Sequence, residues 1–133
     1  MIIVDSSVWI DYFNGVASPA TDRLDALLGV EPLAVGDVIL AEVLLGFRSD
    51  ADCKTAKELL QSLVVVAMLG EANALKCAEH YRALRKRGLA VRKIIDVFIA
   101  TYCIESTCPL LFQDKDFLPF VDHLGLRPIL ENT

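Results

Sequence analysis

The sequence holds no apolar run of the roughly 18 to 20 residues that a membrane span requires. Its opening, Met1 to Asp5, reads as an apolar strand rather than a basic-then-apolar leader. Together these absences set the expectation of a cytosolic protein with no membrane partner. The four cysteines, Cys53, Cys77, Cys103 and Cys108, include no CxxC pair. Cys77 and Cys103 fall in apolar-periodic stretches where a reduced cysteine serves as a small hydrophobe, so inert thiols are expected. Histidine is scarce too, and His80 and His123 lie apart from the acidic positions that matter below. No internal repeat and no low-complexity segment interrupts the chain.

What is present is apolar residues and segregated charge. A chain of 133 residues has the length of one domain, residues 1–133 without a linker, and can bury a core without disulfides or a structural metal. Hydrophobic residues make up 54% of it and its mean hydropathy is +0.46, rich for a lone domain of this size. The excess predicts apolar surface that meets a partner. Net charge is −5, which by itself argues against a nucleic-acid ligand. The average conceals a basic stretch, however. Between Tyr81 and Ile94 stand Arg82, Arg85, Lys86, Arg87, Arg92 and Lys93 with no acid among them, a charge of +6 that leaves −11 for the rest.

Apolar runs and their punctuation predict alternating strands and helices. Met1 to Val4 reads as a strand, with Asp5-Ser6-Ser7 leading into a helix that stops near Asn14-Gly15. A second helix covers Ala20 to Leu28, and Pro32 to Val35 is a strand. Asp37 is the expected N-cap of an apolar helix from Val38 to about Phe47, followed by a helix from Ala51 to about Leu63. Val64 to Met68 reads as a strand. Gly70 opens a long helix, Glu71 to Arg87, with Leu75, Ala78, Tyr81 and Leu84 near one face. A further helix, Ile94 to about Ile104, is apolar almost all round. Strands follow at Pro109 to Phe112 and Arg127 to Leu130. This alternation predicts an α/β domain of three layers, α/β/α, with a central parallel sheet.

In open parallel sheets, sites form beyond the carboxyl ends of the strands. Asp5 and Asp114 land there and face each other if their strands are neighbours, although Asp5 would serve equally as a helix cap. Capping is the better reading of Asp116, which precedes a helical turn containing Pro119. Glu42 sits in Ile39-Leu40-Ala41-Glu42-Val43-Leu44-Leu45, and Asp96 in Ile94-Ile95-Asp96-Val97-Phe98, both among apolar neighbours. A narrow exposed strip would explain Glu42. Pairing with Arg92 and Lys93, or a preference for the helix N-terminus, would explain Asp96.

Taken together, the acids ask for a common cause. Two carboxylates about 4 Å apart repel by roughly 4 kcal/mol at an effective dielectric near 20, so something positive should gather them. Oxygen-only ligands without histidine or cysteine suit Mg2+, with Mn2+ as a substitute, rather than zinc. Hard cations on carboxylates serve phosphate chemistry, and the basic stretch leading into the Asp96 helix could hold a polyphosphate backbone. A solvated helix face accounts for it equally well. Trp9, Tyr12 and Tyr81 could stack on bases, but core packing is the simpler reading.

Val4-Asp5-Ser6-Ser7-Val8-Trp9-Ile10-Asp11-Tyr12-Phe13 closely resembles the opening of VapC toxins, which are PIN-domain ribonucleases. Three later stretches resemble the later motifs of that family in order and spacing: Ala41 to Gly46, Ile95 to Ala100 and Leu110 to Phe117. The resemblance spans nearly the whole chain. It implies a PIN fold, endoribonuclease activity, metal-binding acids at Asp5, Glu42, Asp96 and Asp114, and supporting roles for Ser6 and Asp116. It further implies a homodimer neutralised by a VapB-type antitoxin, which would account for the apolar excess. Two positions depart from the pattern. Thr101 follows Ala100 where a second alanine is frequent, and Gln113 precedes Asp114 where a small hydroxyl or histidine is frequent.

The expected mechanism is that Asp5, Asp96 and Asp114, helped by Glu42, hold one or two ions that orient water for in-line attack on an RNA phosphodiester. Three rivals stand beside it. A phosphatase of the haloacid-dehalogenase type also places an Asp after its first strand, but wants a second where Ser7 stands. A non-enzymatic α/β binding module would use the acids as caps and surface charges. A PIN-type nuclease could act in RNA processing without any toxin role.

Overall fold

The structure is a computed structural model and describes residues 1–129. Four short strands, β1 (Ile2–Val4), β2 (Leu33–Gly36), β3 (Val64–Val66) and β4 (Leu110–Leu111), form one sheet in the order β3-β2-β1-β4. All pairings are parallel, with Ile3 opposite both Ala34 and Leu110. Every residue of β2 is buried, and so are Ile3 and Val4. Successive strand side chains point to opposite faces, so the middle of this sheet must be covered on both sides. Seven helices among the described residues supply the cover: α1 (Ser6–Phe13), α2 (Pro19–Leu27), α3 (Asp37–Leu45), α4 (Asp50–Gln61), α5 (Glu71–Lys86), α6 (Ile94–Glu105) and α7 (Leu118–Leu124). The result is the three-layer α/β/α arrangement that the alternation of elements predicts.

Local chemistry explains where the helices begin. Asp5 has extended backbone and its carboxylate accepts from the amide of Ser7, which caps α1. Ser18 and Thr21 form a reciprocal capping box at α2, with Pro19 in the first turn. Trp9 on α1 is fully buried and stacks on Phe13 at 5.8 Å between ring centroids. It is a core residue, as are the neighbouring apolar positions of β1 and β4. Tyr81 is half-exposed on α5 with the Arg85 guanidinium 5.7 Å from its ring centroid. Cys77 and Cys103 are buried, and all four cysteines are free thiols.

Several expectations need correction. Asp37 is the first residue of α3 and Gly36 is its N-cap; the Asp37 carboxylate instead accepts from the amides of Val38 and Met68, tying α3 to the segment after β3. On α5 the buried residues are Cys77 and Leu84, while Leu75 is 64% exposed, so the expected apolar face of this helix only partly meets the core. Helix α6 does bury nearly all round, with Asp96, Val97, Ile99, Ala100, Thr101 and Cys103 enclosed. The expected last strand is reduced to an isolated bridge between Pro128 and Leu110, and its end at Leu130 lies outside the described residues.

Candidate active site

Strands β1 and β4 are adjacent, which puts the segments leaving them side by side. The amide of Asp5 donates to the carbonyl of Leu111 at 2.9 Å, locking the end of β1 to the end of β4. Asp5 therefore sits at the carboxyl edge of the sheet, and Asp114 follows β4 onto the same edge. Helix α6 brings Asp96 in its first turn. Carboxylate oxygens of Asp96, Asp114 and Asp116 lie within 4.8 Å of one another. Asp5 and Glu42 are outside that trio, but their charges act on Asp96 together with that of Asp114. The four acids singled out from the sequence thus share one electrostatic neighbourhood, and Asp116 joins it more closely than expected.

Electrostatics is unfavourable at Asp96. It is 7% exposed, and its Oδ2 is a buried oxygen without a hydrogen-bond partner. Burial first, and the charge of Asp5 next, push its pKa up to about 7, against a partial offset from Lys93. Burial likewise raises Asp5, although the hydroxyl and amide of Ser7 pull the other way. A buried carboxylate oxygen with no donor is strongly disfavoured unless a cation or proton reaches it. Carboxylates alone, converging from separate elements, are the donor set that a hard divalent cation takes. The residues present fit such an ion.

The neighbouring polar groups hold these acids in place. Ser6 donates to Oε1 of Glu42 at 2.6 Å, joining the start of α1 to the middle of α3. Ser7 donates its hydroxyl to Asp5 at 2.7 Å, and Gln113 donates its amide to Asp11 at 2.8 Å. Neither Ser7 nor Gln113 stood out in the sequence as a supporting residue. A serine two positions after an aspartate is a local signal that could have been used. The contact of Gln113 joins the segment after β4 to α1 and leaves no trace in spacing. Asp116 is not a cap. Asp114 caps the 3₁₀ turn Lys115–Phe117 by accepting from the Asp116 amide at 2.9 Å, and Asp116 is left to pair with Arg92.

The basic stretch divides in two. Arg92 pairs with Asp116 at 3.4 Å and Lys93 with Asp114 at 3.5 Å, both side chains largely exposed. The fields of Asp114 and then Asp96 raise the Lys93 ammonium above its ordinary pKa. Arg82 and Arg85 instead line a groove of about 490 Å³ between α5 and α6, together with Leu69, Tyr81, Ile94 and Phe98. Lys86 and Arg87 end α5 in solvent. Only the last two of the six cations reach the acids, so the stretch is not one continuous rim around them.

The sequence matches the PIN domain family over residues 2–120. It is 31% identical to the ribonuclease VapC11 of Mycobacterium tuberculosis over 119 residues, 88% of this chain and 89% of that protein. It is 27% identical to the ribonuclease VapC1 of Methanocaldococcus jannaschii over 95% of this chain and 85% of that one. Among solved structures, VapBC2 from Rickettsia felis superposes with a TM-score of 0.76 at 17% identity, covering 97% and 98% of the two chains. VapBC-1 from nontypeable Haemophilus influenzae does so with a TM-score of 0.72 at 22% identity, covering 97% of each. At those identities the superpositions speak to the fold, and the sequence relatives carry the kinship: the chain belongs to the PIN domain family, in its VapC-type branch.

Proposed function

We propose that the chain, a single domain over residues 1–133, is an endoribonuclease dependent on a divalent metal, Mg2+ in the first place with Mn2+ as a substitute. We place it as the toxin of a VapBC-type toxin–antitoxin pair. The observation that carries the reading is the convergence of carboxylates at the edge of β1 and β4, with the unpartnered Oδ2 of Asp96 among them. That its sequence relatives are named VapC ribonucleases supports RNA as the substrate.

In this reading Asp5, Asp96 and Asp114 hold the ion and Glu42 assists. When bound, the ion activates water and neutralises charge on the phosphate. Ser6 occupies one oxygen of Glu42 and leaves the other to the site. Asp116 keeps Arg92 at the rim. Water attacks phosphorus in line with the departing ribose oxygen, and one phosphodiester becomes a phosphate terminus and a hydroxyl terminus. Lys93 and Arg92 contact the RNA backbone, and Arg82, Arg85, Lys86 and Arg87 act at longer range.

The same reading gives the chain a VapB-type antitoxin and a second copy of itself as partners, and a place in the cytosol. Leu75 on α5 and Ile94 on α6, like Leu45 on α3 and Val30 after α2, carry part of the apolar excess of the sequence to the surface. No helix among the described residues is long and apolar enough to cross a membrane.

The direct test is cleavage of a mixed RNA pool by the purified chain with magnesium, with chelator, and with chelator followed by manganese. Cutting should appear, vanish and return. Cutting that persists in chelator sinks the reading, and a chain inert under all three conditions favours a binding module.

A further inference from the structure

Of the six cations in the basic stretch, Lys93 holds a position unlike the others. It is the residue preceding α6, three before Asp96, and its ammonium lies 3.5 Å from Oδ2 of Asp114. Asp114 and Asp96 dominate the field it feels, with Asp116 behind them. The lysine therefore rests where positive charge is most needed, beside the acids expected to bind metal. The contact is loose, because it is 3.5 Å long and the side chain is 63% exposed, open to solvent. A hydrated, long-stemmed ammonium on a carboxylate is readily exchanged. Arg92 differs, being 80% exposed and paired with Asp116 rather than with Asp114.

A divalent ion held by Asp96 and Asp114 would repel this ammonium from the carboxylate it now occupies. The backbone at Lys93 is anchored by the turn that opens α6, where its carbonyl accepts from the Asp96 amide at 3.2 Å. The displaced ammonium must then stay within one side-chain length of the same acids. The anion that arrives there with the metal is the scissile phosphate.

Resting on the ribonuclease reading above, we propose that Lys93 is a catalytic residue that exchanges partners: it occupies Asp114 before the metal binds, then turns onto a non-bridging oxygen of the phosphate under attack. It transfers no proton. Its charge opposes the negative charge that grows on phosphorus while the water oxygen bonds and the ribose oxygen leaves, and preorganised charge of this kind acts on the transition state more than on the bound substrate.

Exchange makes two demands that a surface ion pair or a simple backbone contact would not make together. In Lys93→Met, calorimetric titration with Mn2+ in the absence of RNA should show tighter binding than in the native chain, by about two- to fivefold, because the competing cation is gone. With saturating magnesium, kcat for RNA cleavage should fall by roughly 10²-fold, with KM changed by no more than about twofold. Lys93→Arg, which keeps the charge, should recover most of the lost turnover.

Unchanged or weaker manganese binding in Lys93→Met overturns the exchange, as does a loss confined to KM. A Lys93→Arg chain as slow as Lys93→Met overturns it as well. Asp96→Asn run in parallel separates the two levels. If that variant cleaves RNA like the native chain, the nuclease site itself is wrong. If it is inert while Lys93→Met cleaves normally, only the role of the lysine fails.

Discussion

Replacing Asp96 by asparagine should stabilise the metal-free protein and destroy its function, and the size of the effect can be worked from the site. The carboxyl is 7% exposed, one of its oxygens has no hydrogen-bond donor, and its pKa stands at about 7 against an ordinary 3.8. Each unit is worth about 1.36 kcal/mol, so holding the ionised form in a wholly dry site would cost about 4 kcal/mol. Solvent reaches the rim, where Asp114 is part-exposed, and screening reduces the figure to about 2 kcal/mol.

The dependence on pH has a definite sign. Between about pH 4 and pH 7 the folded chain binds a proton at Asp96 that the unfolded chain has released, so stability falls as pH rises through this window. Asparagine removes that slope. The advantage of Asp96→Asn should be small near pH 4 and complete above about pH 7.5, where it should raise Tm by about 5–10 °C. Magnesium at about 100 times its dissociation constant should add roughly 2.7 kcal/mol to the native chain and nothing comparable to the variant. Thermal melts at pH 4.5 and 8 with and without metal, beside an RNA cleavage assay, measure all of this. A variant less stable than the native chain in chelator at pH 8 would refute the electrostatic account, whatever its activity.

Two further perturbations probe how the site is supported. Ser6→Ala removes the 2.6 Å hydrogen bond to Glu42 and should lower metal affinity or cleavage by about 10- to 100-fold while leaving the fold intact, read by titration and turnover. At Gly36, where β2 passes into α3, an added Cβ would lie 2.1 Å from the Sδ of fully buried Met68. Gly36→Ala should therefore cost about 1–3 kcal/mol in denaturant melts. Combined with Met68→Ala, it should show coupling of about 0.5–3 kcal/mol, because the shortened side chain vacates the space that Cβ needs.

The sheet was legible because each strand is a short β-branched or aliphatic run, three of the four bounded by Asp, Gly or Pro, and parallel pairing follows once helices separate the strands. Placing Asp5 and Asp114 on one edge required only the rule for open sheets, together with the adjacency of β1 and β4. What spacing could not reveal was which of two adjacent candidates does a local job. Asp37 looked like a cap, but Gly36, with its extended backbone, fills that place. Asp116 looked like a cap, but Asp114 takes the amide first. Charge counting failed similarly along residues 82–93, because a helix end and a loop send consecutive cations in different directions. Helical periodicity marked an apolar face on α5 without distinguishing core from exterior, and Leu75 turned out on the exterior.

The strand made first is sandwiched between partners made later. Ile3 pairs with Ala34 on one side and Leu110 on the other, so β1 stays half-bonded until about a hundred further residues exist. Asp114 follows β4, 109 positions after Asp5. A chain still emerging from the ribosome thus carries Asp5 and Glu42 long before it owns a complete set of carboxylates. Assembly of the acidic centre therefore waits on the pairing of β4 with β1, and the amino-terminal half of the sequence cannot complete it alone.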